Sequence, residues 1–232
     1  MEPAASPHRV GELRISVVIP ARDEAANLPT VLASLPDDIF EIVLVDGGST
    51  DGTVDAAKAA GARVVVEVRR GYGRACAAGA AATDADVIVF LDGDGSDDPT
   101  ALAALLRPVL EGRAALSLGA RTRPEAGALL PHQRVGNRLV ALLLRVVYGV
   151  AVHDVPPMLA IRRDVLGQLG MREMTYGWPT EMIVKAARAS LSIAEVEVTS
   201  RARRGGVSKI AGRALPSAKA GARMLAVVAR YV

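Results

Sequence analysis

Val87-Ile88-Val89-Phe90-Leu91-Asp92-Gly93-Asp94-Gly95 joins an apolar run to two carboxylates one residue apart. The run is rich in β-branched residues and reads as a buried strand over 87–91. In open α/β sheets ligands bind beyond the carboxyl ends of the strands, so Asp92 and Asp94 stand where a ligand is expected. Two hard oxygen donors beside permissive glycines suit Mg²⁺ or Mn²⁺ held together with a substrate's phosphates. An acidic turn is the plain alternative, because Asp, Gly and Ser are what turns prefer.

Working outward, the same pattern repeats. Strands are predicted over 15–19, 41–45 and 63–68, each followed by a polar cluster and then a helix. The clusters are Pro20-Ala21-Arg22-Asp23-Glu24, then Asp46-Gly47-Gly48-Ser49-Thr50-Asp51-Gly52, then Arg69-Arg70-Gly71-Tyr72-Gly73-Arg74. In the third cluster two glycines before a helix N-terminus make a candidate anion nest, with a tight turn as its rival. Strand–helix alternation at this spacing points to a parallel sheet with right-handed crossovers. After Gly119 the alternation fades. A long helix is predicted over 132–148, a strand over 158–161, a helix from Pro179 to 189, a strand over 193–199 and a closing helix over 214–232. Between the last two lies the basic, glycine-rich run 200–212, a loop by composition.

Composition narrows the function. The 232 residues suit one domain over 14–232, preceded by a flexible arm at 1–13. Aromatic content of 3% leaves little for stacking on single-stranded nucleic acid. The formal net charge of +3 is uneven. Lys and Arg crowd 200–230, while Asp residues gather near 37–55 and 84–98, as if an anionic ligand lay between metal-binding carboxylates and a basic flap. Cys76 is the only cysteine, so an intrachain disulfide is impossible and a reducing compartment fits. No signal peptide and no membrane span are expected, which suggests a cytoplasmic protein or one peripheral at the inner face of the membrane.

The ordered motifs Val18-Ile19-Pro20-Ala21-Arg22-Asp23-Glu24, Val45-Asp46-Gly47-Gly48-Ser49-Thr50-Asp51-Gly52-Thr53 and Asp92-Gly93-Asp94-Gly95 resemble family 2 glycosyltransferases of the GT-A fold, a Rossmann-like α/β architecture with a mostly parallel sheet flanked by helices. Downstream, Pro131-His132-Gln133-Arg134, Asp154, Tyr176-Gly177-Trp178 and Arg203-x-Gly205-Gly206-x-Ser208-Lys209 look like the branch of dolichyl-phosphate mannosyltransferases and bacterial polyprenyl-phosphate glycosyltransferases. Gly47 stands where many relatives carry a second Asp, and Asp154-Val155-Pro156-Pro157-Met158 replaces a more usual Asp-x-Gly-Phe-like stretch.

The resemblance implies a nucleoside-diphosphate sugar as donor, a phosphate-bearing acceptor such as a polyprenyl phosphate, and inversion at the anomeric carbon. It places Pro20, Arg22, Glu24, Asp46, Gly71, Arg74, Asp92, Gly93 and Asp94 around the nucleotide-sugar, with Asp92 and Asp94 as metal ligands. Arg121, Arg134, Asp154, Trp178, Arg203, Ser208 and Lys209 fall near donor or acceptor phosphates. Arg's planar fork suits phosphate oxygens, and a Lys on a glycine-rich loop can close over them. Asp94, Arg134, Lys209 and Glu181 are the catalytic candidates. Glu181 serves as a base if the acceptor is a hydroxyl, or as a first-turn stabiliser of its helix. Two rival functions are a transferase acting on a hydroxyl of a soluble small molecule and an inactive nucleotide-sugar-binding protein. On the closing helix Lys219, Arg223 and Arg230 form a basic stripe opposite Met224, Val228 and Tyr231, a candidate for peripheral membrane contact.

Overall fold

Strand β4 (Val87–Phe90) is buried at every residue, because it lies inside a seven-stranded sheet of order β3-β2-β1-β4-β6-β5-β7. The computed structural model describes residues 13–125, 131–201, 205 and 214–232. Strands β1 (Ile15–Ala21), β2 (Glu41–Asp46), β3 (Arg63–Val66) and β4 run parallel. The apolar runs therefore read as continuous, since a parallel sheet is covered on both faces. Alternate residues go to opposite faces. Val18, Val43, Val45, Ile88 and Phe90 share one core, while Val17, Ile19, Leu44, Val87 and Val89 share the other.

Helices α1 (Leu28–Ala33), α2 (Thr53–Ala59) and α4 (Leu102–Leu110) cover the second core. Helix α3 (Tyr72–Ala82) covers the first, together with α5 (Pro131–Tyr148) and α7 (Trp178–Arg188). The alanine-rich sequence of α3 permits close approach. A Cβ at Gly79 would stand 2.3 Å from Val18 Cγ1 and 2.8 Å from Val45 Cγ2.

The second half departs from the expected alternation. Strand β5 (Leu116–Pro124) continues past Gly119, and β6 (Leu159–Arg162) inserts between β4 and β5, antiparallel to both. Helix α6 (Arg163–Leu169) follows β6 directly, and β7 (Ile193–Ser200) pairs parallel with β5. Helix α8 (Ala214–Arg230) packs on α5 and α7.

The antiparallel insertion has a functional consequence. Phe90 pairs with Leu159, so the segment leading into β6 arrives beside the carboxyl end of β4. Strands β5 and β7 end at that same edge, which brings Arg121, the Asp154–Met158 segment and Arg201 toward Asp92. No helix among the described residues is long and apolar enough to cross a membrane.

Candidate active site

The loops after β1 and β2 are laced together. Asp46 is buried, and its carboxylate accepts the amides of Gly48 (3.1 Å) and Ser49 (3.1 and 3.2 Å). Ser49 Oγ accepts the Asp23 amide at 2.9 Å, Asp23 accepts the Thr50 amide at 2.8 Å, and Thr53 Oγ1 accepts the Glu24 amide at 2.8 Å. Gly48, at φ 80°, permits the turn that brings these amides round. A Cβ on Gly93 would meet Ile19 and Ala21 at 3.1–3.2 Å, and one on Gly47 would meet Arg22 Cβ at 3.3 Å. The ends of β1, β2 and β4 therefore converge, and Pro20, Arg22, Asp46 and Gly93 stand together. Glu24 is buried beneath them, where its carboxylate accepts from Asn27 Nδ2 at 3.0 Å. Asn27 also clamps the backbone of Gly205 on the basic loop, accepting its amide at 3.1 Å and donating to its carbonyl at 3.2 Å.

The end of β4 is the opposite case. Asp92 Oδ1 and both carboxylate oxygens of Asp97 are sealed from solvent, with no hydrogen-bond partner among the described residues. Burial drives Asp92 well above the usual carboxylate range, and Asp94 and Asp97 beside it push further. Burial likewise lifts Asp97 to about 7, against the pull of Arg121. Asp94 accepts the Ser96 amide at 2.9 Å. Asp98, next to Asp97, only caps the following turn through the Thr100 amide and takes Arg201 at 2.6 Å. Residue type gave Asp97 no distinction from that cap, so sequence reasoning passed over it.

A cavity of about 220 Å³ opens beside Asp92. Tyr72, Asp92 and Arg121 meet at it, Val155 and Pro157 contribute apolar wall, and Gly136 of α5 faces Ala220, Gly221 and Met224 of α8 across it. Arg121 and Asp154 form a bidentate pair, Nε–Oδ2 at 2.7 Å and a guanidinium N–H to Oδ1 at 3.0 Å, and Asn137 of α5 adds a third bond to Asp154 at 3.0 Å. Burial raises the Asp154 carboxyl, but Arg121 more than reverses this and holds it below the ordinary range. Asp154 thus orients Arg121 rather than facing a ligand.

Four expectations are corrected here. Gly71 and Gly73 do not form an anion nest. A Cβ on Gly71 would lie 2.2 Å from the Met174 carbonyl oxygen and one on Gly73 2.3 Å from that of Glu173. The first amides of α3 are also taken, Gly73 by Thr175 O (3.1 Å) and Arg74 by Met174 O (3.0 Å). Arg74 keeps its interest, because its Nε is buried with no partner among the described residues.

Trp178 is core. It is 2% exposed and packs edge-on to Phe90 with centroids 6.0 Å apart. Glu181 is fully buried away from the cavity. Its carboxylate accepts the Arg172 and Glu173 amides (2.8 and 2.7 Å), the Tyr231 hydroxyl and Lys185 Nζ (3.2 Å). Burial raises its carboxyl, yet these donors bring it below the ordinary value, which unsuits it as a base. Glu173, which carried no sequence signal, is its neighbour and anchors α8 by accepting from Arg223 Nε at 2.9 and 3.0 Å. Lastly, Arg134 is exposed on α5 and does not line the cavity. Arg203, Ser208 and Lys209 lie outside the described residues, as do residues 1–12 of the expected N-terminal arm.

A mostly parallel sheet with laced polar loops after β1 and β2, and the carboxylates of Asp92 and Asp97 after β4, defines the class: a GT-A fold. The chain belongs to glycosyl transferase family 2, whose family model matches residues 16–170. An uncharacterized glycosyltransferase of Mycobacterium tuberculosis is 39% identical over 199 residues, 85% of this chain and 90% of the relative. A dolichyl-phosphate hexose transferase of Haloferax volcanii is 33% identical over 82% of this chain and 84% of its own length. An undecaprenyl-phosphate mannosyltransferase of Micrococcus luteus is 30% identical over 86% and 88%. Among solved structures, glucosyl-3-phosphoglycerate synthase of Mycobacterium tuberculosis with Mn²⁺, UDP and glucosyl-3-phosphoglycerate has a TM-score of 0.76 at 26% identity, covering 97% of this chain and 86% of that one. The protein is a glycosyltransferase.

Proposed function

We propose that the protein moves a hexose from a UDP- or GDP-linked sugar to the phosphate of a polyprenyl phosphate, with inversion at the anomeric carbon. The observation that carries the acceptor class is the cavity. Its walls are largely apolar, they lie between two helices, and Arg121 stands at Asp92 where an acceptor phosphate would meet the donor. A phosphate monoester is ionised at neutral pH and needs no base, which agrees with the sealed position of Glu181. The two lipid-phosphate transferases among the relatives support the same class.

Pro20, Arg22, Glu24 and Asp46 shape the nucleotide end, with Arg74 as a further cation and the basic loop of Arg203, Ser208 and Lys209 closing over the phosphates. Asp92 and Asp94 would hold Mg²⁺ or Mn²⁺. The fit rests on the unsatisfied Asp92 oxygen and on hard carboxylate donors that leave room for diphosphate oxygens. Such an ion, when bound, neutralises the leaving diphosphate. Solved complexes of the synthase contain Mn²⁺ or Mg²⁺ with UDP, which supports the choice.

A second reading is favoured by the fold likeness to that synthase, whose solved complex holds glucosyl-3-phosphoglycerate. There the acceptor would be a small phosphorylated molecule in water. Incubation with labelled UDP- or GDP-sugars, Mn²⁺ and either polyprenyl phosphate or phosphoglycerate separates the two. Label extracted into organic solvent supports the lipid; label confined to the aqueous phase as a new anion overturns it.

A further inference from the structure

Helix α5 has two apolar faces, and only one is covered among the described residues. Val140, Ala141 and Leu144 are buried on the inner side. Val135, Leu139, Leu142 and Val146 are 67%, 46%, 56% and 73% exposed. At about 100° per residue these four fall within an arc of about 60°, roughly opposite the buried three. A surface helix ordinarily carries one apolar stripe, and single exposed apolar residues are unremarkable, but four in file form a patch that marks an interaction surface.

Arg134, Arg138 and Arg145 run along one margin of the stripe, within an arc of about 40°. All three are exposed, and none forms an ion pair with the described residues. Neither α5 nor its neighbour α8 contains an Asp or Glu. The basic face of α8 itself is engaged inward: Arg223 bonds Glu173, and Arg230 approaches it at 3.9 Å. The apolar side of α8 packs on the domain, with Val228 buried and the Tyr231 hydroxyl on Glu181. Among the described residues the unpartnered amphipathic surface is therefore on α5.

We propose that this stripe docks the protein on an anionic lipid bilayer, with α5 in the interface plane, its four exposed apolar side chains toward the acyl chains and its arginines on lipid phosphates. Charge decides between a bilayer and a second copy of the chain. An antiparallel two-fold pairing of α5 stripes would set arginine margins against each other, and a parallel one would set them on opposite sides with no carboxylate on either helix to meet them, whereas anionic headgroups complement them. The inference rests on the proposed acceptor for one point only: the cavity between α5 and α8 would then open at the membrane that supplies a lipid-borne phosphate.

Co-sedimentation of the full chain with phosphatidylcholine vesicles, plain or mixed with phosphatidylglycerol, tests it without donor or acceptor present. Binding is expected on anionic vesicles at low salt and should weaken as salt rises. Leu142→Glu with Val146→Glu should lower partitioning at least about tenfold, and Arg138→Glu with Arg145→Glu should remove the preference for anionic lipid. These positions face solvent, so thermal melts should stay at the parental temperature and separate lost docking from lost folding. Undetectable binding of the parent, equal binding of the Leu142/Val146 variant, or a dimer that this variant dissociates would each overturn the proposal. Vesicle binding without any transfer to a lipid phosphate would leave the docking intact and refute only the acceptor assignment.

Discussion

Two parallel strands, β2 and β4, run into aspartates, and the fold treats them oppositely. Asp46 turns its carboxylate back onto the amides of Gly48 and Ser49, so the loop holds itself. Asp92 Oδ1 and both Asp97 oxygens accept no hydrogen bond among the described residues, and burial drives both carboxyls upward, with Asp94 and Asp97 pushing on Asp92 and Asp94 and Asp154 pushing on Asp97. A buried carboxylate oxygen without donors costs stability, which supports the proposal that a cation or a donor arriving with substrate completes this end. The β2 end is scaffold, and the β4 end is stored demand.

The largest break in this comparison should come from Asp94→Ala. If the β4 end awaits a cation, turnover should fall on the order of 10³-fold. Isothermal titration should show Mn²⁺ strengthening nucleoside diphosphate binding in the parent but not in the variant. Equal affinity in all four combinations would reduce the β4 acids to an ordinary turn.

Asp97→Asn should sharpen the contrast through stability. The folded-state value of about 7 lies above the ordinary 3.8, so the folded protein binds the proton more tightly than the unfolded chain. Stability from this group is thus fully present below about pH 4 and is lost as pH rises through about 7. In metal-free buffer the variant should be more stable than the parent by about 2–4 kcal/mol at pH 8, with the gap closing near pH 4. Urea titrations at both pH values measure it; a constant gap would show that burial of Asp97 is relieved in solution.

Asp46→Ala should move the other way. Two partly buried amides lose their acceptor, so a loss of about 1–2 kcal/mol is expected, together with weaker donor binding as the loop loosens. An unchanged melt would mean that the lacing from Ser49 to Asp23 suffices without Asp46.

The difference between the two ends was only half legible in the sequence. Strand-end position was readable, because β-branched runs over 15–19, 41–45 and 87–91 stop at polar clusters, and the parallel half followed from that spacing. Whether a strand-end Asp is satisfied depends on where amides fall in three dimensions, and residue type is silent on that. Gly71-x-Gly73 shows the same limit: glycine is demanded by close approach of any backbone, and the approaching backbone is the protein's own at Glu173 and Met174. The direction of β6 was hidden too, since Leu159–Arg162 is a short apolar run that carries no mark of parallel or antiparallel pairing. That insertion brings Asp154 to Arg121, a pairing 33 residues apart in sequence.

The smallest effect on turnover should come from Glu181→Gln, which extends the comparison to a third buried carboxylate. Glu181 belongs with Asp46: its oxygens are occupied by two amides, Lys185 and the Tyr231 hydroxyl, and its carboxyl sits below the ordinary value. A depressed carboxylate contributes stability above its unfolded value and loses it as pH falls through the folded one. The stabilisation should therefore be complete at pH 7, begin to fall below the ordinary value of 4.5 and vanish in stronger acid, below the depressed folded value. Glutamine keeps the shape and one acceptor oxygen but gives up the charge that faces Lys185, so about 1–2 kcal/mol should be lost at pH 7. Turnover should stay within about threefold of the parent, because ordering of the 172–175 loop and of α8 is what the residue supplies. A flat pH profile of the lost stability would deny the charged role. A drop of a hundredfold or more in turnover with an intact melt would place Glu181 among the reacting groups, and the buried pairing seen here would then have to open during the cycle.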